Sequence, residues 1–438
     1  MKQILIAAPA SGSGKTAVTC ALLCALFRRG LHPEAFKCGP DYIDPMFHRS
    51  VLKTPSHNLD LFLQGREGVL RTLRGSGGGI AVLEAAMGYY DGVSGTARAS
   101  AWELAELTGT PAILVLSPSG AGITLAAQVK GLLDFRTPSR IAGVILNRCR
   151  ESLFAYLKPI LERECGIPVL GYLPLLPEAE LASRHLGLIT ADEVPDLKGR
   201  IGLLADALEE HCDVDKLLSL ASESAPQAAA GRKPSCCTVA VARDAAFCFY
   251  YEENLRLLEA AGAELRFFRP LSDAALPACD GLYLGGGYPE LYAKELSENR
   301  SMRASLRAAI ENGLPTVAEC GGFLYLQQSL DEFPMAGVLP GRGFRTERLQ
   351  RFGYLTLESA EDSLLFRAGE RIPAHEFHYW DCTDNGTALG ASKESGAGWR
   401  CGFCSETLYA AFPHLHFGGE LPLAERFVQV AKKYKERL

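Results

Sequence analysis

The sequence lacks a surplus of either charge. Across 438 residues, 45 Lys and Arg stand against 51 Asp and Glu, a formal net charge of −6. A general nucleic-acid binder, or a protein drawn to an anionic membrane, needs a basic surplus, and none is present. No uninterrupted apolar run is long enough to span a bilayer. A first β-strand is expected at the N-terminus in preference to a secretory signal. "MKQILIAAPA" has one basic residue and a short apolar run that leads straight into a Gly-rich turn, the pattern of a first β-strand. The 14 cysteines are scattered and without an export signal, so they read as reduced thiols of a cytoplasmic protein. Cys401-x-x-Cys404 has no second pair at zinc spacing, and two incidental thiols near a strand end are the favoured reading over a metal or redox pair. What remains is a composition of 47% hydrophobic and 22% charged residues, ordinary for a globular protein. The length predicts two or three domains, each able to bury a core.

Strand-like apolar runs alternate with helical spacing through the first two hundred residues. "QILIAAP", "IAVLEAA", "PAILVLSP" and "IAGVILNR" read as buried parallel strands, and Thr16 to Arg29 and Ala99 to Leu107 as helices. This alternation predicts a doubly wound α/β sheet over residues 1–215. "SLASESAPQAAAGRKPSCC" is rich in Ala, Ser and Pro, and residues 216–237 are expected to be a linker. A second α/β unit, 238–438, then opens with the strand "TVAVA". It continues with the helix "YEENLRLLEAAGAEL" and the strands "GLYLGGG" and "PTVAECGG".

Two places carry chemistry. The first is "APASGSGKT". A phosphate-binding loop reads G-x-x-x-x-G-K-[ST], and here the first glycine is replaced by Pro9. The rest fits: an apolar strand, a small-residue turn and a helix opening on Lys-Thr. Backbone N–H groups of Ser11, Gly12, Ser13 and Gly14 would cradle phosphates. Lys15 would reach the β/γ-phosphates of ATP, and Thr16 would ligand Mg²⁺. Further hard oxygen ligands are expected at strand ends. Asp41 and Asp44 in "KCGPDYIDP", and Glu84 ending a strand, are the candidates; Asp91 lies just beyond, and Asp60 is weaker. Asn147, ending "GVILNR", can read a purine edge or cap the next helix.

The second is "PTVAECGGFLYL". A cysteine, Cys320, on a strand-to-helix turn is a thiol counterpart of the nucleophile elbow, and a helix N-terminus favours its thiolate. Gly285, Gly286 and Gly287 follow another strand; their N–H groups, with that of Gly321, are expected to form an oxyanion hole, for which Gly286, Gly287 and Gly321 are the main candidates. The base would come from "FPHLHFGG". His414 and His416 lie two apart, on one side of a strand.

These motifs resemble a known combination. The first half is similar to the dethiobiotin-synthetase-like P-loop ligases and the second to class I glutamine amidotransferase domains. The fusion, with "APASGSGKT", "KCGPDYIDP", "AECGGFLYL" and "HLHF", resembles the cobyrinic acid a,c-diamide synthase family of cobalamin biosynthesis over nearly the whole chain. That family also lacks the first P-loop glycine. Broader amidotransferases carry His-x-Glu, with the glutamate orienting the base; here His416 stands at that position, as the narrower family allows. The family position selects His414 as base.

The resemblance implies ATP- and glutamine-dependent amidation of two corrin carboxylates through an acyl phosphate, with Mg²⁺, and with ammonia released at Cys320. It implies the small-molecule substrates cobyrinic acid, ATP and L-glutamine, and no nucleic acid or membrane; a homodimer is expected apart from the resemblance. In "PAHEFHYWD", His375 and His378 are expected to contact the corrin or a domain interface, with a metal pair or a plain strand as alternatives. In "GRGFRTERLQRFGY", Arg342, Arg345, Arg348 and Arg351 suit a multiply carboxylated substrate or a solvated basic face. The same motifs would serve hydrogenobyrinic acid or a nickel sirohydrochlorin. A regulatory P-loop ATPase with an amidotransferase-like binding module, and a plain cysteine hydrolase, are the rival classes. Intact Cys320 and His414 speak against the first. The P-loop and its acids speak against the second.

Overall fold

The computed structural model describes residues 1–53, 56–75, 77–181, 183–184, 187–188, 194–223, 231 and 233–437. Its internal contacts divide it into two units, Met1–Leu61 with Gly65–Ala229, and Ala230–Leu438 with Phe62–Gln64. Among the described residues no helix is long and apolar enough to cross a membrane.

The first unit runs β1 Lys2–Ala7, α1 Lys15–Arg28, β2 Pro33–Cys38, α2 Ile43–Leu52, β3 Ser56–Leu59, α3 Leu61–Arg74 and β4 Ile80–Glu84. It continues α4 Ala101–Thr108, β5 Ala112–Leu116, α5 Thr124–Asp134, β6 Ile141–Asn147, α6 Glu151–Cys165 and β7 Val169–Leu173. A two-stranded pair (β8 Ser183–Arg184, β9 Gly187–Leu188), α7 Leu197–His211, α8 Val214–Leu220 and β10 Ser222–Glu223 complete it. The sheet order is β3-β2-β4-β1-β5-β6-β7, with β10 on β1. The seven strands on that path pair in parallel and β10 pairs antiparallel. This is the expected doubly wound α/β sheet. β1 lies at its centre because Ile4, Leu5, Ile6 and Ala7 are fully buried. Helices on both faces of a parallel sheet demand such an unbroken apolar run, and each large side chain there contributes about 1.5–3 kcal/mol of burial. The stretch expected as a linker, 216–237, begins inside α8, and Ser222 pairs with Gln3; residues 224–230 and 232 lie outside the described residues.

The second unit runs β11 Cys237–Ala242, α9 Glu252–Ala261, β12 Ala263–Phe268, β13 Gly281–Leu284, α10 Ala293–Glu298, α11 Arg300–Glu311, β14 Thr316–Glu319 and α12 Gly321–Tyr325. Then come β15 Ser329–Leu330, β16 Phe333–Pro334, β17 Arg342–Ser359, β18 Arg371–Cys382, β19 Leu389–Ser392, β20 Gly398–Cys401, β21 Phe403–Cys404, β22 Leu408–Ala411, β23 His414–Leu415 and α13 Leu423–Lys435. One sheet has the order β12-β11-β13-β14-β22-β21, parallel except at β21. A second, mostly antiparallel sheet centres on β17 and β18. The helix read through "AGAEL" ends earlier. Gly262 takes a left-handed φ of 108° that closes α9, and Ala263–Phe268 pairs with β11 instead. A glycine there needs no Cβ penalty.

Candidate active sites

In the first unit the carboxyl ends of β1, β2, β4 and β6 converge. Gly14 (φ 92°) turns the chain into α1. No side chain caps that helix, so its first N–H groups face the loop as an anion cradle would require. Asn147, at the end of β6, donates from Nδ2 to the Ser13 carbonyl at 2.9 Å. A methyl at Gly14 would stand 2.0 Å from that nitrogen. Asn147 therefore braces the loop through one N–H of its amide. Lys15 Nζ donates to the carbonyls of Ala10 (3.2 Å) and Met87 (2.6 Å). Burial, then the neighbouring Lys37, lower its pKa to about 8.

Thr16 Oγ1 donates to Glu84 Oε1 at 2.7 Å and lies 3.3 Å from Asp44 Oδ1. The sequence did not single out the two groups that complete this cluster. Lys37 Nζ sits 2.5 Å from Asp44 Oδ2 and 3.0 Å from Glu84 Oε1. His48 Nε2 lies 2.8 Å from Glu84 Oε2, and its Nδ1 lies 2.9 Å from Ser56 Oγ. Glu84 is fully buried. Burial opposes its charge, but Lys37 and the hydrogen bonds of His48 and Thr16 prevail and hold it well below the carboxylate range. Burial, with Asp41 and Glu84 nearby, pushes Asp44 the other way, well above that range.

Hard oxygens on Thr16, Asp44 and Glu84 fit Mg²⁺. Asp41 stands near this cluster, and its Oδ1 accepts the N–H groups of Ile43 (2.7 Å) and Asp44 (3.1 Å) at the start of α2. Among the described residues no group of three or more His, Cys, Asp and Glu could hold a metal. A Mg²⁺ held by Thr16, Asp44 and Glu84 would take its remaining ligands from water and phosphate. Asp91 Oδ2 accepts the Gly88 N–H at 2.8 Å and shapes the loop after β4. Asp60 is buried at the start of α3.

In the second unit three adjacent parallel strands, β13, β14 and β22, deliver the site from their carboxyl ends. Cys320 follows β14 with φ 48° and ψ −99°, a strained conformation for a non-glycine residue and the mark of a nucleophile elbow. Its thiolate is not favoured in this state, contrary to the expectation from the helix N-terminus. Burial comes first, Glu290 and Glu376 add to it, and together they push the thiol well above its ordinary value against the Gly321 N–H. The expected glycines follow β13. A methyl at Gly286 would stand 2.5 Å from Cε1 of His414, and one at Gly321 would stand 3.0 Å from the Gly287 nitrogen. Gly285 donates its N–H to Tyr250 Oη at 2.8 Å, which leaves Gly286, Gly287 and Gly321 as the oxyanion candidates. His414, not His416, is the imidazole beside Gly286. His416 Nδ1 accepts the Gly418 N–H at 3.0 Å, and its ring lies 4.8 Å from that of Tyr251. Gly286→Ala is expected to lower glutamine hydrolysis by about 10²-fold or more, because the methyl displaces the base by an ångström or so. A glutaminase assay beside ammonium-dependent amidation checks it; undiminished hydrolysis would separate Gly286 from the site.

His375 and His378 do not form a metal pair, because alternation along β18 sends them to opposite faces. His375 pairs across the sheet with His414, and burial, then His414, lower its pKa to about 3. His378 stacks on Phe412 with centroids 3.8 Å apart and lies 2.6 Å from Glu376 Oε1. The four arginines lie on β17, whose register against β18 shifts between Arg345 and Gln350 and again before Gly353; Arg342, Arg345 and Arg348 are exposed and Arg351 is half-buried. Arg351 binds Glu376 at 2.9 Å and Asp381 at 2.6 Å. Arg345 lines a cavity of about 450 Å³ with Thr346, Glu347 and Tyr379. Cys401 and Cys404 are free thiols, as are the other twelve cysteines.

Comparison with known proteins matches both units. Residues 4–189 match the family described as the CobQ/CobB/MinD/ParA nucleotide binding domain. Residues 238–421 match the CobB/CobQ-like glutamine amidotransferase domain. The chain is 41% identical to cobyrinate a,c-diamide synthase of Listeria innocua, over 95% of this chain and 96% of that one. The counterpart in Clostridium acetobutylicum is 38% identical, with 98% and 100% covered. The one in Thermoplasma volcanium is 37% identical, with 99% and 98% covered.

Proposed function

The chain belongs to the cobyrinate a,c-diamide synthase family, and on that premise we propose that it amidates the a and c carboxylates of cobyrinic acid, using ATP and glutamine. The observation that carries this is the presence in one chain of two complementary sites. One is a P-loop whose Thr16 meets Glu84 and Asp44, both of them paired with Lys37. The other is a cysteine elbow whose glycine turn abuts His414.

A carboxylate is a poor acyl donor, so the first site activates it. Lys15 and the N–H groups of the loop bind the phosphates of ATP, and the substrate carboxylate attacks the γ-phosphorus to give an acyl phosphate and ADP. Mg²⁺, held by Thr16, Asp44 and Glu84, would supply positive charge to the β- and γ-phosphoryl oxygens. Lys37 keeps Glu84 ionised for that role. At the second site Cys320 attacks the glutamine side-chain carbonyl, His414 carries the proton, and ammonia leaves. Ammonia then displaces phosphate from the acyl phosphate. The cavity lined by Arg345 supports a role for that guanidinium at substrate carboxylates, and Asp91 and His375 are candidates for substrate contact, each within its own unit. The fourteen unpaired cysteines support a cytoplasmic setting.

The test is an assay with cobyrinic acid, ATP, Mg²⁺ and either glutamine or ammonium, read by mass spectrometry. Two successive exchanges of a hydroxyl for an amino group are expected. Glutamine hydrolysis without any change in the corrin would keep the amidotransferase and move the substrate to another tetrapyrrole.

A further inference from the structure

We propose that Glu319 is the positioning residue of the amidotransferase site: its carboxylate, one residue before the nucleophile, orients the His414 ring and holds the charge which that ring acquires. The inference rests on the reading of Cys320 and His414 as the glutamine-hydrolysing pair. It supplies the member that the motif left without a candidate, since His416 occupies the position two after the base.

Glu319 ends β14 and is 1% exposed. A buried carboxylate must be matched by partners. Oε1 accepts the N–H of Leu415, the residue after His414, at 3.0 Å. Oε2 accepts the Tyr283 hydroxyl at 3.0 Å and lies 3.8 Å from His414 Nδ1. That is an ion-pair separation, and such contacts tighten once substrate is bound. The surroundings hold the geometry. Asn254 donates to the Leu415 carbonyl at 2.8 Å and to Tyr283 Oη at 3.2 Å, and accepts the Phe417 N–H at 2.7 Å. One carboxylate is thus fixed both to the backbone of the base's own strand and beside its ring nitrogen.

Other titratable groups around the site have other settings: burial pushes the Glu290 carboxyl up to about 7, and it acts on Cys320. His375, across β18, is held neutral with a pKa of about 3 by burial and His414. Burial, with Glu319 close by, pushes the phenols of Tyr283 and Tyr409 well above their ordinary range. Cys320 is a thiol. Glu376 is engaged by Arg351 at 2.9 Å and His378 at 2.6 Å. Nucleophile, base and orienter form a triad in which the orienter adjoins the nucleophile in sequence. As Sγ bonds to the amide carbon, its proton passes to His414. The imidazolium returns that proton to the nitrogen as the C–N bond breaks, leaving a thioester and ammonia.

Glutamine hydrolysis by the full chain, measured against pH, tests this in the wild type, Glu319→Gln and Tyr283→Phe. Glu319→Gln keeps the shape and an acceptor for the Leu415 N–H but removes the charge. Its kcat is expected to fall by about 10²-fold or more with little change in KM for glutamine. The acid limb of its profile moves to lower pH, because an anion no longer favours the imidazolium. Tyr283→Phe removes a donor from Oε2, leaves a more basic carboxylate, and moves the same limb to higher pH. Loss of a mere anchor would not produce opposite shifts. Near-native circular dichroism qualifies Glu319→Gln as folded; otherwise Tyr283→Phe decides, and an unmoved limb overturns the proposal. Glu319→Gln hydrolysis within about threefold of wild type overturns it as well. A wild-type protein that hydrolyses no glutamine removes the underlying reading and the role of Glu319 with it; wild-type hydrolysis with unaltered variants removes Glu319 alone.

Discussion

Cys320→Ala is expected to lower glutamine-dependent amidation by about 10⁴-fold or more while amidation with ammonium continues. The nitrogen chemistry of glutamine needs a nucleophile, and among the described residues no other cysteine has a positive φ at a strand-to-helix turn. Sulfur matters here as a nucleophile made on demand. Burial keeps Cys320 protonated before substrate arrives, so the base must take the proton as the carbon–sulfur bond forms. The substitution leaves the backbone problem unchanged, since alanine at φ 48° carries the same Cβ as cysteine. Removing one buried atom therefore costs about 1 kcal/mol of stability. Product formation from glutamine and from ammonium, measured on the same preparation, reads the result. Loss of both in a folded protein would sink the division of labour between the two units. Retention of both would remove Cys320 as nucleophile.

How much of this was legible in the sequence depends on how local each feature is. The P-loop and the cysteine elbow were readable because each is a strand, a turn and a helix start in one continuous stretch. The parallel strands β1, β4, β5 and β6 were readable because burial on both faces leaves an unbroken apolar run. β17 was not. Its eighteen residues mix exposed, half-buried and buried positions without clean alternation, and its register against β18 shifts between Arg345 and Gln350 and again before Gly353. Read as spacing alone, its arginines look like a helical or solvent patch.

The site shows the same divide. Glu84 and Thr16 could be placed from their own motifs. Lys37 and His48 could not, because they meet Glu84 across 47 and 36 residues of chain through the sheet. Lys37 did carry a signal: it ends a strand just ahead of "CGPD". Glu319 was hidden for the opposite reason. It stands beside the nucleophile in sequence, whereas the familiar orienter stands beside the base. Direction of titration was out of reach altogether. A helix N-terminus argues for a thiolate at Cys320, and only the packed structure shows that burial wins.

Lys15→Ala is expected to lower amidation by about 10²–10³-fold with either nitrogen source, the loss typical of removing one preorganised charge from a transferring phosphoryl group. Lys37 cannot take over, because its ammonium is held between Asp44 and Glu84. The same substitution is expected to raise thermal stability without nucleotide. The folded pKa of Lys15 is about 8 against an ordinary 10.5. The unfolded chain therefore binds more proton than the folded one between those values, and stability rises with pH across that window. At pH 7 the wild type carries the whole penalty, on the order of a few kcal/mol, and alanine removes it. The charge is thus unfavourable for folding and required by the substrate. ATP phosphates relieve the penalty by pairing with the ammonium, so above pH 8 ATP binding takes up a proton, as calorimetry in buffers of different ionisation enthalpy would register. A Lys15→Ala protein with near-normal turnover would take Lys15 out of the nucleotide site. One that loses activity without gaining stability would leave the phosphate contact intact and refute the burial penalty.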